Sequence, residues 1–274
     1  MRAQYAIVDG FRPLELDLVV PEGDGPHPVV LWIHGGAWRM GTNRDTVGPV
    51  PSSAIRAGLL DEGLAVASVQ YRLTAEAPFP AQLHDVVAAV RWLRHYSDEL
   101  RLDPARVGAW GESAGGHLTA FLGLNIDDVG LLGHAGVGEG RTDVQAAVPW
   151  YPPTDLLSLG ADALIPGIPM DHDAPDSPES HLVGGAVQDR PDEARAASPI
   201  TYASASAAPM LLVHGDGDVV VSPRQSERLA AALREAGAKV ELVLVPGANH
   251  VLTGVDPSPY VKRSIDFLVT HLRD

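Results

Sequence analysis

Four short stretches of this sequence carry residue types that could do nucleophilic chemistry on a carbonyl. The first is GESAG, Gly111 to Gly115, where an apolar run (106 to 111) gives way to a helical pattern, AGGHLTAFLGL. A G-x-S-x-G match arises by chance in roughly one chain in six of such composition, so its place between strand and helix is what informs. Setting Ser113 on a sharp strand-to-helix turn strains the backbone, and side chains at 111 and 115 would collide with neighbouring elements. A helix opening at Ala114 also turns free N–H groups and its positive dipole end toward any oxyanion formed beside the serine.

A serine hydroxyl is a poor nucleophile at neutral pH, so it needs a base and a group to orient that base. Of the 11 histidines, His250 in PGANHVL lies in a loop between the last expected strand and the last expected helix, and is the best-placed base. Upstream, LLVHGDGDVVVSP puts Asp216 and Asp218 in the loop after the preceding strand. Either carboxylate could hold the imidazole tautomer. His34 and His214 end strands and read as structural hydrogen-bonding groups. His117, one helical turn beyond Ser113, reads as packing. In MDHDAPD, the adjacent Asp171, His172 and Asp173 do not converge on one ion, and the tract reads as a solvated acidic loop. No metal and no cofactor is expected.

The fourth stretch is PVVLWIHGGAW, 28 to 38, an apolar run that stops at a histidine and two glycines. The elements that must position these residues alternate. Strands are expected at 3 to 8, 14 to 20, 29 to 34, 64 to 71, 106 to 111, 144 to 150, 210 to 215 and 240 to 245, the last six nearly continuous in hydrophobicity, as in strands buried on both faces. Helices are expected at 52 to 62, 81 to 98, 114 to 124, 223 to 236 and 258 to 272. This alternation predicts an α/β architecture, a mostly parallel sheet covered on both sides, with the first two strands as an antiparallel edge. From Tyr151 to Pro199 the Pro, Gly and Asp spacing forbids a long helix, which marks a binding loop, a lid or a mobile segment within a single domain spanning 1 to 274.

Taken in order, HGGAW, GESAG, HGDGDVVVSP and GANH resemble the α/β-hydrolase esterases close to the hormone-sensitive-lipase group, with its arylformamidase-like and feruloyl or acetyl-xylan esterase-like branch. YRLTAEAPFPAQLHDVVAAVRWL and DSPESHLVGG resemble further segments of that family, so the likeness spans most of the chain. It implies an eight-stranded α/β-hydrolase fold in which Ser113 is the nucleophile, His250 the base and Asp218 the acid. Asp218 stands four residues after the histidine of H-G-x-x-D, and Asp216 then becomes a turn residue. It also implies an oxyanion hole of backbone N–H groups from Gly35, Gly36 and Ala114. One departure is HGGAW where the lipase relatives have HGGG, which puts the aromatic Trp38 beside the site. Trp38, Trp150 and Tyr151, all at C-terminal strand ends, are expected to line a substrate pocket.

The expected activity is that of a serine carboxylesterase acting on small, aryl-linked or sugar-linked esters through an acyl-enzyme. Arylformamidase-like hydrolysis of an N-formyl aryl amide is the alternative within enzymes, and a non-catalytic ligand-binding relative is the reading from another class. Composition narrows the rest. With 20 basic against 35 acidic residues the formal charge is −15, which disfavours nucleic acid and anionic membrane surfaces as partners. The chain has no cysteine, which excludes disulfides and thiolate chemistry. The opening MRAQYAIVDG has no apolar leader core, so a cytoplasmic, soluble protein is expected, with secretion of a processed form and a homo-oligomer left open.

Overall fold

The computed structural model describes residues 1–44, 52–165 and 169–273. Its strands are β1 (Arg2–Ala6), β2 (Leu14–Val19), β3 (His27–Ile33), β4 (Ala65–Val69), β5 (Leu102–Glu112), β6 (Ala146–Trp150), β7 (Met210–Gly215) and β8 (Val240–Val245). They form one sheet in the order β1-β2-β4-β3-β5-β6-β7-β8. The β1/β2 and β2/β4 pairs are antiparallel and every later pair is parallel. Parallel strands place all their following loops on one edge of the sheet. The loops after β3, β5, β6, β7 and β8 are the ones that carry the chemistry-bearing residues.

The helices are α1 (Ser52–Asp61), α2 (Ala81–His95), α3 (Ser97–Leu100), α4 (Ala114–Gly123), α5 (Val129–Leu132), α6 (Leu159–Asp162), α7 (Pro178–Val183), α8 (Pro191–Ala196), α9 (Arg224–Glu235) and α10 (Ser258–Arg273). Side chains alternate between the faces of a strand, and this sorts the core into layers. Val29, Leu31 and Ile33 of β3 pack with Val86 and Val90 of α2 and with Leu118 of α4. Val30 and Trp32 point to the other face and pack with Ile55 and Leu59 of α1 and Leu268 and Leu272 of α10. On that second face Trp32 meets Trp110 edge-on at 5.7 Å, and Trp110 meets Trp150 at 5.3 Å.

The expected burial on both faces holds for β4, β6 and β7, whose residues are all buried. It fails for β8, where Leu244 is 38% exposed, because among the described residues no strand pairs with the far side of this outermost strand. The Y-R-L segment earns a structural role. Arg72 Nε and Nη2 grip Asp85 of α2 at 2.6 to 3.0 Å, and the Arg72 N–H donates to the same carboxylate at 2.7 Å. Both side chains are buried, so the pair locks the loop after β4 onto α2.

The expected insertion at 151 to 199 is built of the short helices α6, α7 and α8, and its residues 166 to 168 lie outside the described residues. It is fastened at several points. Asp162 accepts from Arg228 at 2.7 and 2.8 Å and from Gln225 at 2.9 Å, both on α9. Thr154 Oγ1 donates to Gln225 O at 2.6 Å, and Phe79 N–H to Leu182 O at 2.8 Å. The segment therefore covers the sheet edge as a tethered layer.

Candidate active site

β5 hands the chain to α4 through Ser113, whose φ of 53° and ψ of −118° lie outside both helix and strand geometry. The surrounding structure holds that conformation. The Ser113 N–H donates to Trp150 O at 3.0 Å, tying the turn to the end of β6. A Cβ at position 115 would overlap the carbonyl oxygens of Ile33 and His34, and one at 111 would overlap the Gly115 carbonyl and the Thr119 hydroxyl. Both glycines are needed because α4 crosses β3 and β5 at backbone contact.

The structure brings Ser113, His250 and Asp218 into one line. Ser113 Oγ–H donates to His250 Nε2 at 3.1 Å, and His250 Nδ1–H donates to Asp218 Oδ2 at 2.6 Å. Asp218 is fully buried, and its other oxygen accepts the Val220 and Val221 N–H groups at 2.8 and 2.9 Å. Burial alone would raise the Asp218 carboxyl. Hydrogen bonds from His214 and His250, with the charge those rings can carry, outweigh it and hold the group well below the ordinary carboxylate range. A carboxylate so placed stays ionised and fixes the proton of His250 on Nδ1, leaving Nε2 to receive a proton from the serine.

His214 does more than end a strand. Its Nδ1 meets Ser226 Oγ at 2.7 Å, while Nε2 reaches Val221 O at 2.8 Å and Asp218 Oδ2 at 3.3 Å. A second buried imidazole thus braces the carboxylate. Asn249 couples the two loops, because its Oδ1 accepts both the His250 N–H at 2.7 Å and the Val219 N–H at 3.1 Å. Asp216 accepts the Gly247 N–H at 2.7 Å and takes no part in the line. His34 stacks on Tyr71 with centroids 4.4 Å apart.

The glycine turn divides its duties differently from the expectation. Gly35 does not face the cavity beside Ser113. A Cβ there would meet Glu112 O at 3.1 Å and Ser113 Cβ at 3.5 Å, and its N–H is turned to the Glu112 carboxylate. The wall of that cavity is Ala37, which follows Gly36. Gly36 has φ of 116° and no room for a Cβ beneath the Met40 carbonyl, so only glycine turns the chain here. Among the described residues, the N–H groups of Gly36, Ala37 and Ala114 are not spent on another backbone acceptor, so the expected Gly36 donor stands and Ala37 joins it. Gly35 is therefore corrected from a donor to a support.

Glu112, inside GESAG but passed over in the sequence, is the acceptor that Gly35 serves. It is 5% exposed, and Tyr151 Oη–H donates to its Oε2 at 2.8 Å. Burial pushes its pKa up to about 7, against the pull of Tyr151 and Gly35. Tyr151 in turn sets its ring edge-on to the His250 ring at 4.9 Å. Tyr151 thus supports the imidazole instead of lining the cavity.

The cavity beside Ser113 is small, about 30 Å³, and Trp38, Ala114, Met170, His172 and Glu179 are among the residues that line it. Trp38 is held there by its Nε1–H, which donates to His117 Nδ1 at 3.2 Å, while His117 Nε2–H donates to Ala197 O at 2.8 Å. Burial drives the His117 pKa down to about 4, so the ring stays neutral in this tautomer. Trp150 is absent from the wall. Strand alternation puts it on the Trp32 and Trp110 side, where its Nε1–H donates to Ser264 Oγ of α10 at 3.0 Å, and the expectation of a pocket residue is corrected.

In MDHDAPD, Asp171 and Asp176 are exposed as expected, but the histidine between them is not. His172 is 4% exposed and faces Glu179 of α7, Nδ1 to Oε1 at 3.2 Å, with Nε2 on Val220 O at 2.9 Å. Among the described residues no three His, Asp or Glu side chains stand close enough to hold a metal ion. No helix among them is long and apolar enough to cross a membrane. A larger cavity of about 610 Å³ adjoins in sequence, lined by Arg39 next to Trp38 and by Ser180 and His181 next to Glu179.

Known proteins resemble this chain in sequence and in fold. Esterase LipQ of Mycobacterium tuberculosis is 31% identical over 81% of this chain and 50% of its own. The chain spans about half the length of the curated relatives it matches, LipQ among them. A truncated form of a carbohydrate esterase from gut microbiota superposes with a TM-score of 0.84 and 29% identity, covering 100% of this chain and 95% of that one. An esterase from Thermogutta terrifontis superposes at 0.77 with 24% identity, over 98% of this chain and 93% of that one, a likeness of fold. Residues 16–233 match the BD-FAE family, and the chain, an eight-stranded α/β-hydrolase, belongs to it.

Proposed function

We propose that this chain is a serine carboxylic ester hydrolase working through an acyl-enzyme. The observation that carries this reading is the continuous line Ser113–His250–Asp218, with 3.1 and 2.6 Å contacts, at the mouth of a cavity. The esterase names of its relatives are consistent with it.

In this mechanism His250 Nε2 takes the Ser113 proton as Oγ attacks the ester carbonyl, and Asp218 stabilises the imidazolium that forms. The N–H groups of Gly36, Ala37 and Ala114 receive the developing oxyanion. Because they are fixed before the charge appears, losing one such donor costs about 10² to 10³ in rate. His250 returns the proton to the leaving alcohol, whose departure leaves the acyl group on Oγ. It then activates a water that releases the acid.

A cavity of about 30 Å³ compares with the ~10–15 Å³ that one water requires, so it suits a short acyl group. A longer or aromatic part of the substrate would lie outside it. The test is pre-steady-state hydrolysis of 4-nitrophenyl acetate. A burst of 4-nitrophenol stoichiometric with enzyme, absent in Ser113→Ala, is expected; equal turnover by that variant would remove the serine from the mechanism.

A further inference from the structure

The buried pair His172 and Glu179 is not used by this chemistry, yet both residues line the cavity that holds Ser113. Their hydrogen bonding is incomplete. His172 Nε2 faces the Val220 carbonyl at 2.9 Å, so that nitrogen must carry a proton. Burial disfavours a second proton on the ring, but the Glu179 carboxylate, with an oxygen 3.2 Å from Nδ1, outweighs it and raises the His172 pKa. The Nδ1–H this favours lies off the direction of that oxygen, so the contact is an ion pair without a formed hydrogen bond. Glu179 Oε2 is buried with no partner among the described residues. A protonated ring nitrogen and a bare carboxylate oxygen, side by side and nearly out of water, are costly unless something completes them.

A hydroxyl group is the simplest group that both accepts and donates. We propose that this pair is a specificity site for a substrate hydroxyl close to the scissile ester, with the hydroxyl donating to Glu179 Oε2 and accepting from His172 Nδ1–H. The inference rests on the ester-hydrolase reading and narrows it to esters that carry a free hydroxyl near the carbonyl. That hydroxyl belongs either to the alcohol, as in a partly acylated polyol or sugar, or to the acyl group, as in a hydroxy acid ester. An apolar ester of equal size leaves both polar atoms bare, and a site built to bond a hydroxyl rejects the analogue that lacks it.

The experiment compares matched substrates on the whole chain. 2-Hydroxyethyl acetate against propyl acetate probes the alcohol side, methyl glycolate against methyl propionate probes the acyl side, and 4-nitrophenyl acetate reports ester hydrolysis as such. The wild type is expected to favour the hydroxyl-bearing member of one pair in kcat/KM by about 10- to 100-fold, the scale of a hydrogen bond to a charged group. Which pair shows it assigns the hydroxyl to alcohol or acyl. In Glu179→Gln and, separately, His172→Gln, each checked for folding by its thermal transition, that ratio is expected to fall to less than about a third of the wild-type value. Hydrolysis of 4-nitrophenyl acetate by a wild type that discriminates in neither pair overturns the inference alone, as does an unchanged ratio in both variants. A wild type that hydrolyses none of the five esters overturns the esterase reading and this inference with it.

Discussion

Replacing Glu112 by Gln changes one charge at the centre of the support beneath the catalytic line. The amide keeps an acceptor oxygen for Tyr151 Oη–H but cannot ionise. Burial raises the Glu112 pKa from 4.5 to about 7. A raised folded-state pKa means that the group contributes its full stability below the unfolded pKa and loses it as pH rises through the folded one. The window therefore runs from about 4.5 to about 7, as the neutral acid gives way to a buried carboxylate. At about 1.4 kcal/mol per unit, the shift amounts to about 3 kcal/mol across the full window. Urea unfolding of both proteins between pH 5 and 8.5 isolates this group, because all other titrations cancel in the difference. Glu112→Gln should gain about 2 to 3 kcal/mol on the wild type over that range, most of it below pH 7.5. A difference independent of pH would refute the raised pKa of Glu112 and burial as its cause.

Three further outcomes follow from the same geometry. Asp218→Asn should lower kcat on an activated ester by about 10⁴ with the thermal transition retained, because the amide no longer fixes the proton on Nδ1. Asp216→Asn should stay within a few-fold of wild type in the same assay, because among the described residues the Asp216 side chain bonds the Gly247 N–H and takes no part in the catalytic line. Asp85→Leu leaves the Arg72 guanidinium buried without its partner and should cost about 3 to 5 kcal/mol in denaturant unfolding.

Much of the catalytic edge is legible in the sequence because parallel strands leave little freedom. Once β5, β7 and β8 run the same way, the loops bearing Ser113, Asp218 and His250 must meet at one edge, whatever their separation in the chain. What the sequence does not carry is where side chains point at the end of a strand. Trp150 ends β6 in the position of a pocket residue, but its parity with Trp32 and Trp110 sends it under the sheet. Gly35 and Ala37 differ by two residues, and a turn with positive φ at Gly36 and Ala37 decides which of them faces the cavity.

Long-range pairing is the other hidden quantity. His172 sits in a tract rich in Asp and Pro that reads as solvent-exposed, until α7 supplies Glu179 and the loop after β7 supplies the Val220 carbonyl. The α7 signature itself is plain in hindsight. Ser177 caps the helix by accepting the Ser180 N–H at 3.0 Å, Pro178 opens it and Gly184, at φ of 79°, ends it. Dense Pro and Gly hid it, because they argue against long helices and are silent on a six-residue one.

The central claim is that Ser113 is the residue acylated in turnover, activated by His250. Its most direct measurement is peptide mapping by mass spectrometry after treatment with a fluorophosphonate, alongside loss of 4-nitrophenyl acetate hydrolysis. One adduct per chain on the peptide bearing Ser113, formed in step with inactivation and much more slowly in His250→Ala, is the predicted result. An adduct on another residue that inactivates the enzyme, with Ser113 unmodified, would contradict the account.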